Sequence, residues 1–254
     1  MIKLNLDEIL TVTFDSNVWE NVVDPSKRKG NQIYEKIYEE ILSNKIEPFF
    51  FEGLVTLECI PKAKRKEYIA NYRASTEFKI ENKIFTDEGT APFELSDYLK
   101  LNLPLAFDLG FKFIRIPRIG SFSINETYMS TLRNENIGER QNYSFKCAHF
   151  IEKELGAGYQ YLKNILDLSG NEHLIEKTHS NEVLTDKQFA AGVAEWVDGD
   201  ALSAHYGYGI KYFCTNDKAR GAGSKSVFSI ENRKKLKDKF GIDIITPTEL
   251  IEFI

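Results

Sequence analysis

No apolar run in this chain approaches the roughly 18 residues that a membrane span requires. Its first residues, MIKLNLDEIL, are acidic and unlike a signal peptide. A cytoplasmic location with no membrane partner is the expectation. Cysteine is scarce. Cys59, Cys147 and Cys214 are odd in number, widely separated and free of CxxC spacing, which argues against a disulfide framework and a zinc knuckle and leaves buried free thiols. The histidines make no metal set either: His149, His173 and His179 are scattered, and His205 falls on the apolar face of a helix, as packed, hydrogen-bonded histidines do. A dinucleotide fingerprint is missing, since Gly156-Ala157-Gly158 lacks the third glycine and follows a helical pattern rather than a strand. Positive charge is in deficit, with 33 Lys and Arg against 38 Asp and Glu and a net charge of −5. That disfavours non-specific coating of nucleic acid or membrane but leaves room for a local basic groove.

What the chain has is apolar substance: 42% hydrophobic and 13% aromatic content over 254 residues, enough to bury a sizeable core as one elaborated domain or two small ones. β-Branched and aromatic residues at 11–14 predict a strand that runs straight into Asp15-Ser16-Asn17. Asn31 is placed to cap a helix carrying Ile33, Tyr34, Ile37, Tyr38 and Ile41 at helical spacing. A strand follows at 46–51, with Pro48 restricting it to an edge or its first residues. A helix is expected over 54–60, stopped by Pro61, with Glu58 in its last turn, where the helix dipole calls for a cation. Lys62, Lys64, Arg65 and Lys66 come next, with Tyr68 and Tyr72 one turn apart. Such a run reads first as a solvated helix face and second as a phosphate track. From about 75 to 141 the pattern changes as in an inserted segment, with a strand at 111–116 and Arg115, Arg118, Arg133 and Arg140 as uncommitted cations.

Helical periodicity returns at 143–155, 161–166 and 188–197. The stretch DGDALSAHYGYGIKYFCTND then predicts a short helix starting beside Asp200, with Ala201, Ala204, His205 and Tyr208 on one face and Gly207 and Gly209 as its stop. Asp198 reads as that helix's cap, because residues two apart do not share a face and only one of the pair can point inward. Tyr212, Phe213 and Cys214 make a buried strand ending on Thr215-Asn216-Asp217. A helix over 229–240 closed by Gly241, a strand at 242–245 and a last helix with a Thr246/Glu249 capping box and Pro247 at its first position complete the chain. Strands alternating with helices give an α/β fold, a three-layer α/β/α sandwich with a mainly parallel central sheet.

Two strands thus end on acids, Asp15 and Asp217, at the end of a parallel sheet where ligands bind, with Glu58 late in a helix and Asp200 at a helix start. Brought together, these carboxylates repel and need a hard cation, for which Mg2+ or Mn2+ is the natural choice. The more ordinary role for Asp15 is an Asx-turn, and for Asn17 a brace of that loop.

In this order TFDSN, VTLE, DGDAL, YFCTND and IDIITPTEL resemble the landmarks of PIN-domain nucleases, over roughly 10–72 and 143–254. The resemblance implies that Asp15, Glu58, Asp200 and Asp217 are the catalytic metal ligands of a single PIN-like domain. It implies a Mg2+- or Mn2+-dependent endoribonuclease that cuts single-stranded or structured RNA and leaves 5′-phosphates. Asn17, Lys62, Lys64, Arg65, Thr215, Asn216, Lys218 and Arg220 become candidates for substrate contacts. Compact toxin-like members have no counterpart of the 75–141 segment. The partners implied are an RNA substrate and, for a toxin-like protein, an inhibitory protein partner, with a homodimer as a further assembly. The alternatives are a non-catalytic PIN-like binding module for nucleic acid or protein, and a flap-type nuclease or phosphatase.

Overall fold

The structure, a computed structural model, describes residues 9–71, 76–80, 83–87, 95–118, 126–168, 174, 178, 184–219 and 223–254. Tyr72, His173, His179 and Arg220 lie outside them. In chain order the strands are β1 (Leu10–Phe14), β2 (Ile46–Phe51), β3 (Thr76–Ile80), β4 (Lys83–Asp87), β5 (Lys112–Ile114), β6 (Tyr212–Cys214) and β7 (Asp243–Ile245). Five of them form an all-parallel sheet in the order β5-β2-β1-β6-β7, and β3 and β4 pair apart as an antiparallel hairpin. A parallel sheet covered on both faces has strands that read as near-continuous apolar runs, which is what PFFF in β2 and YFC in β6 are.

The helices are α1 (Ser16–Val23), α2 (Pro25–Arg28), α3 (Gln32–Leu42), α4 (Gly53–Thr56), α5 (Arg65–Ala70), α6 (Asp97–Asp108), α7 (Ile137–Lys153), α8 (Tyr159–Ile165), α9 (Asp186–Tyr208), α10 (Ile230–Phe240) and α11 (Pro247–Ile251). Contacts group α1, α3, α6 and α11 in one layer and α7, α8 and α9 in the other. Phe240, at the end of α10, packs edge-on against Phe150 and Tyr206 of that second layer. The three-layer α/β/α sandwich expected from the sequence is therefore the fold. Between the layers Phe50 anchors an aromatic cluster with Phe107, Phe111 and Phe113. No helix among the described residues is long and apolar enough to cross a membrane.

Local signals placed most elements. Asn31 caps α3, Thr246 and Glu249 form the capping box with Pro247 at the first position of α11, and Gly241 closes α10 at φ 68°. Pro48 lies in an interior strand but among its first residues, the second of the two places expected for it, and β5 pairs with β2 only from Phe49 onward, which leaves one side of Pro48 open. Three expectations are corrected. The helix expected over 54–60 is the single turn α4, and Glu58 follows it in a turn. The 75–141 stretch is not wholly apart from the main body, because β5 is an edge strand of the main sheet and Phe111 and Phe113 are core residues.

The third correction matters most for function. The two helices expected on either side of 198–200 are one 23-residue helix, α9, whose N-cap is Thr185 and whose C-cap is Gly209 at φ 71°. Asp198 is therefore mid-helix and caps nothing. Gly209 is the stop that the sequence marks, whereas Gly207 is a point of close approach: a Cβ there would run into Ser144 Oγ, and one at Gly199 would stand 2.9 Å from the Cα of Gly158. Gly199 and Gly207 let α9 lie close against its neighbours α7 and α8.

Candidate acid site

The chain runs outward from β1 to β2 to β5 on one side and continues through β6 to β7 on the other, so the strand order reverses between β1 and β6. The carboxyl ends of strands at such a switch point flank an open crevice. Asp15 follows β1 there, and Thr215-Asn216-Asp217 follows β6, with Asp15 N–H donating to Cys214 O at 3.0 Å.

Asp15 is held from several directions. Its Oδ1 accepts the Ser16 N–H at 2.7 Å, capping α1, while Oδ2 accepts from the Thr215 hydroxyl at 2.5 Å and from Asn17 Nδ2 at 2.6 Å. Thr215 Oγ1 in turn accepts the N–H of Asp217 at 2.9 Å. Asn17 Oδ1 accepts the Asn216 N–H at 2.8 Å, and Asn216 Nδ2 donates to Asn17 O and to the Tyr34 hydroxyl. Asn17, Thr215 and Asn216 thus knit the two loops together. Glu58 comes from the turn after α4, and Ser16 Oγ donates to its Oε1 at 3.4 Å. The cation its position called for is Arg65, which is buried and gives its guanidinium to the carbonyls of Glu58, Ile60 and Ala190. A guanidinium so committed is no free fork for phosphate.

Of the two aspartates on α9, Asp198 faces this cluster and Asp200 does not. Residues two apart are about 200° apart around a helix. Asp198 feels the charges of Asp15, Glu195, Glu58 and Asp217. Asp200, only 1% exposed, accepts from Trp196 Nε1 at 2.9 Å and pairs with Arg118 at 3.0 Å, which also meets Glu152 at 2.5 Å. The structure therefore brings Asp15, Glu58 and Asp217 together as expected and puts Asp198 where Asp200 was expected. The four clustered acids are all partly exposed.

Burial raises Asp15, with the Asp217 charge adding to it. Glu58 is pushed up to about 7 by burial and then by Asp15, with Arg65 opposing. Asp198 lies well above the usual range through burial and then Asp15, Glu195, Glu58 and Asp217. In all three burial is the first cause, and the neighbouring carboxylates add to it by disfavouring a further negative charge. On the other side of α9, burial takes Asp200 up to about 7 in spite of Arg118. His205 packs as expected, Nδ1 lying 2.9 Å from Thr13 Oγ1, and burial drops it to about 3.

Two spaces open off the acids. A cavity of about 20 Å3 is lined by Asp15, Glu58, Asp198, Thr13 and Trp19 among largely apolar neighbours. A cleft of about 560 Å3 is lined by Asp198, Asp217, Glu195, Ser226, Lys62 and Lys187, with Ala190, Ala191 and Ala194 as a smooth wall. Of the expected cations Lys62 lies at this cleft, Lys64 is exposed and bridges Glu67 at 3.2 Å, Lys218 is exposed just after Asp217, and Arg220 is outside the described residues. Arg118, Arg133 and Arg140 are not uncommitted. The first is in the ion pairs above, the second donates to Gly207 O at 3.1 Å, and the third meets Leu132 O and Asn134 and lies over Tyr208. Arg115 is exposed.

Sequence reasoning missed Asp198, Glu195 and Lys187. Glu195 Oε1 accepts the N–H of Val227 at 2.6 Å and of Gly158 at 3.4 Å, tying α9 to the loop before α10 and the turn before α8. The usable signal was the spacing: Glu195, Asp198, Ala201 and His205 fall on one helical face, provided that α9 is read as continuous.

Among the described residues no three His, Cys, Asp or Glu side chains are placed to hold a metal ion directly. An all-oxygen, repelling donor set nevertheless suits Mg2+ or Mn2+ and not zinc, because Mg2+ keeps several waters and takes only one or two carboxylates from a protein. The chain matches no protein-family model, no curated protein and no solved structure.

Proposed function

We propose that this chain is a PIN-like, Mg2+- or Mn2+-dependent endoribonuclease acting in the cytoplasm, with Asp15, Glu58, Asp198 and Asp217 as its acids. The observation that carries this reading is their mutual electrostatic coupling at the switch point, beside a cleft with Lys62 and Lys187 at its lining. When bound, a divalent cation supplies an activated water at neutral pH and neutralises phosphate charge. The chain's part is to hold the acids and admit the strand. Thr215 and Asn17 fix the Asp15 carboxylate, Arg65 fixes the turn bearing Glu58, and Arg233 Nη2 donates to the carbonyl of Asp217. Lys62 and Lys187 act on substrate phosphates as point charges, and the alanine wall lets a single strand approach Asp198.

The test is cleavage of 5′-labelled single-stranded RNA, with small phosphoesters as the competing substrate class. Asp198→Asn and Asp217→Asn are expected to lower the Mg2+-dependent rate ~100-fold or more, while Asp200→Asn stays within about fivefold of wild type. A wild-type rate in Asp198→Asn, or cleavage that survives chelation, sinks the assignment; turnover of small phosphoesters alone points to a phosphatase.

A further inference from the structure

The inner cavity carries an observation that the acids do not account for. Trp19 sits in α1, one turn after Asp15, is completely buried, and lines that cavity beside Asp15, Glu58 and Asp198. Its indole Nε1–H has no acceptor among the described residues. Buried donors are nearly always satisfied, by protein or by ordered water. The carboxylates across the cavity present the opposite demand, since they are acceptors that repel one another. An indole N–H is only a donor, so a bare cation leaves it unsatisfied. Water serves both sides, accepting from the indole and donating its two protons to carboxylates. The size agrees: about 20 Å3 exceeds the ~10–15 Å3 that one water needs.

We propose that the inner cavity is a binding site for an ordered water molecule, held by the Trp19 indole N–H and donating to the surrounding carboxylates, and that Trp19 is thereby a positioning residue of the acid site. The water bridges carboxylates that otherwise repel and fixes their orientation. If a cation binds, the water would also occupy the inner end in its place, and Asp198 and Asp217, which share the cleft, would be the acids left to hold it. The second half rests on the metal-dependent reading above; the water itself does not.

The test reads the water directly. The chain has two tryptophans, so a 1H–15N spectrum shows two indole signals, assigned by comparison with Trp19→Phe; the other belongs to Trp196, bonded to Asp200. In the wild-type protein the Trp19 indole proton is expected downfield, with a rotating-frame cross-peak to a long-lived water. An upfield indole proton without a water cross-peak overturns the proposal, because it places the N–H over the ring of Phe50, whose centroid is 5.8 Å away. Trp19→Phe keeps the apolar bulk and removes the donor. Its half-saturating Mg2+ concentration, read from the melting temperature, is expected to rise roughly fivefold, the loss of one hydrogen bond. An unchanged value in a folded variant overturns the positioning role. Should that variant fail to fold, the wild-type spectrum decides alone. A water cross-peak in a protein that Mg2+ neither shifts nor stabilises upholds the water and sinks the cation reading, so the two failures are distinct.

Discussion

Asp198 and Asp200 are separated by one glycine and live in opposite fields. Asp198 is surrounded by four other acids, whereas Asp200 has a guanidinium at 3.0 Å and an indole N–H at 2.9 Å. Neutralising the first relieves repulsion, whereas neutralising the second weakens a buried network and leaves Arg118 with Glu152 alone. In chelator, Asp198→Asn is expected to stabilise the protein by ~1 kcal/mol, and Asp200→Asn to destabilise it by about 1–3 kcal/mol. Urea unfolding checks both. Shifts of the same sign for the two variants mean that the faces of α9 are misassigned.

At the scale of elements α9 decides the site, because a helix's continuity sets which side chains share a face. Gly199 approaches Gly158 too closely to carry a side chain. Gly199→Ala is expected to destabilise by ~1–3 kcal/mol, as overpacking does, and to lower activity with it through the adjacent Asp198. A neutral ΔΔG in chemical denaturation refutes that close packing. The same helix shows where legibility ended. β1, β6, α3, α10 and α11 were readable because each is announced locally, by an apolar run, a capping side chain or a glycine at positive φ. Gly207 sends the same local signal as Gly209, the true stop, yet its reason lies on α7, as that of Gly199 lies beside α8, and sequence order brings neither near. Breaking the helix at 198–200 loses its phase, so the wrong aspartate was turned inward. Asp15, Glu58 and Asp217 escaped that error because their positions follow from strand ends and a turn.

The whole molecule carries an unusual load of buried acids, and its stability follows pH accordingly. Burial, before any other cause, raises Glu52 to about 8 and Glu58, Glu195 and Asp200 to about 7, from ordinary values of 4.5 for Glu and 3.8 for Asp. Between those limits the native state holds more protons than the unfolded chain, so stability is lost as pH rises through the window. His205 works in reverse: at about 3 against an ordinary 6.5 it stays neutral when folded, and its contribution is lost as pH falls below 6.5. Without metal, the melting temperature is expected to be higher at pH 6 than at pH 8, and saturating Mg2+ is expected to narrow that gap by taking the place of protons at the acid site. Equal melting at the two pH values contradicts the buried-acid account, and a gap indifferent to Mg2+ contradicts a cation at these acids. The strand order has a consequence in time as well. Asp15 takes its hydrogen bond from Thr215, and β1 pairs with β6 in the register Val12↔Tyr212, so a chain still being synthesised holds its first acid without its partners. Until Thr215 and Asp217 have left the ribosome the acid site does not exist, so its assembly waits on the synthesis of nearly the whole chain.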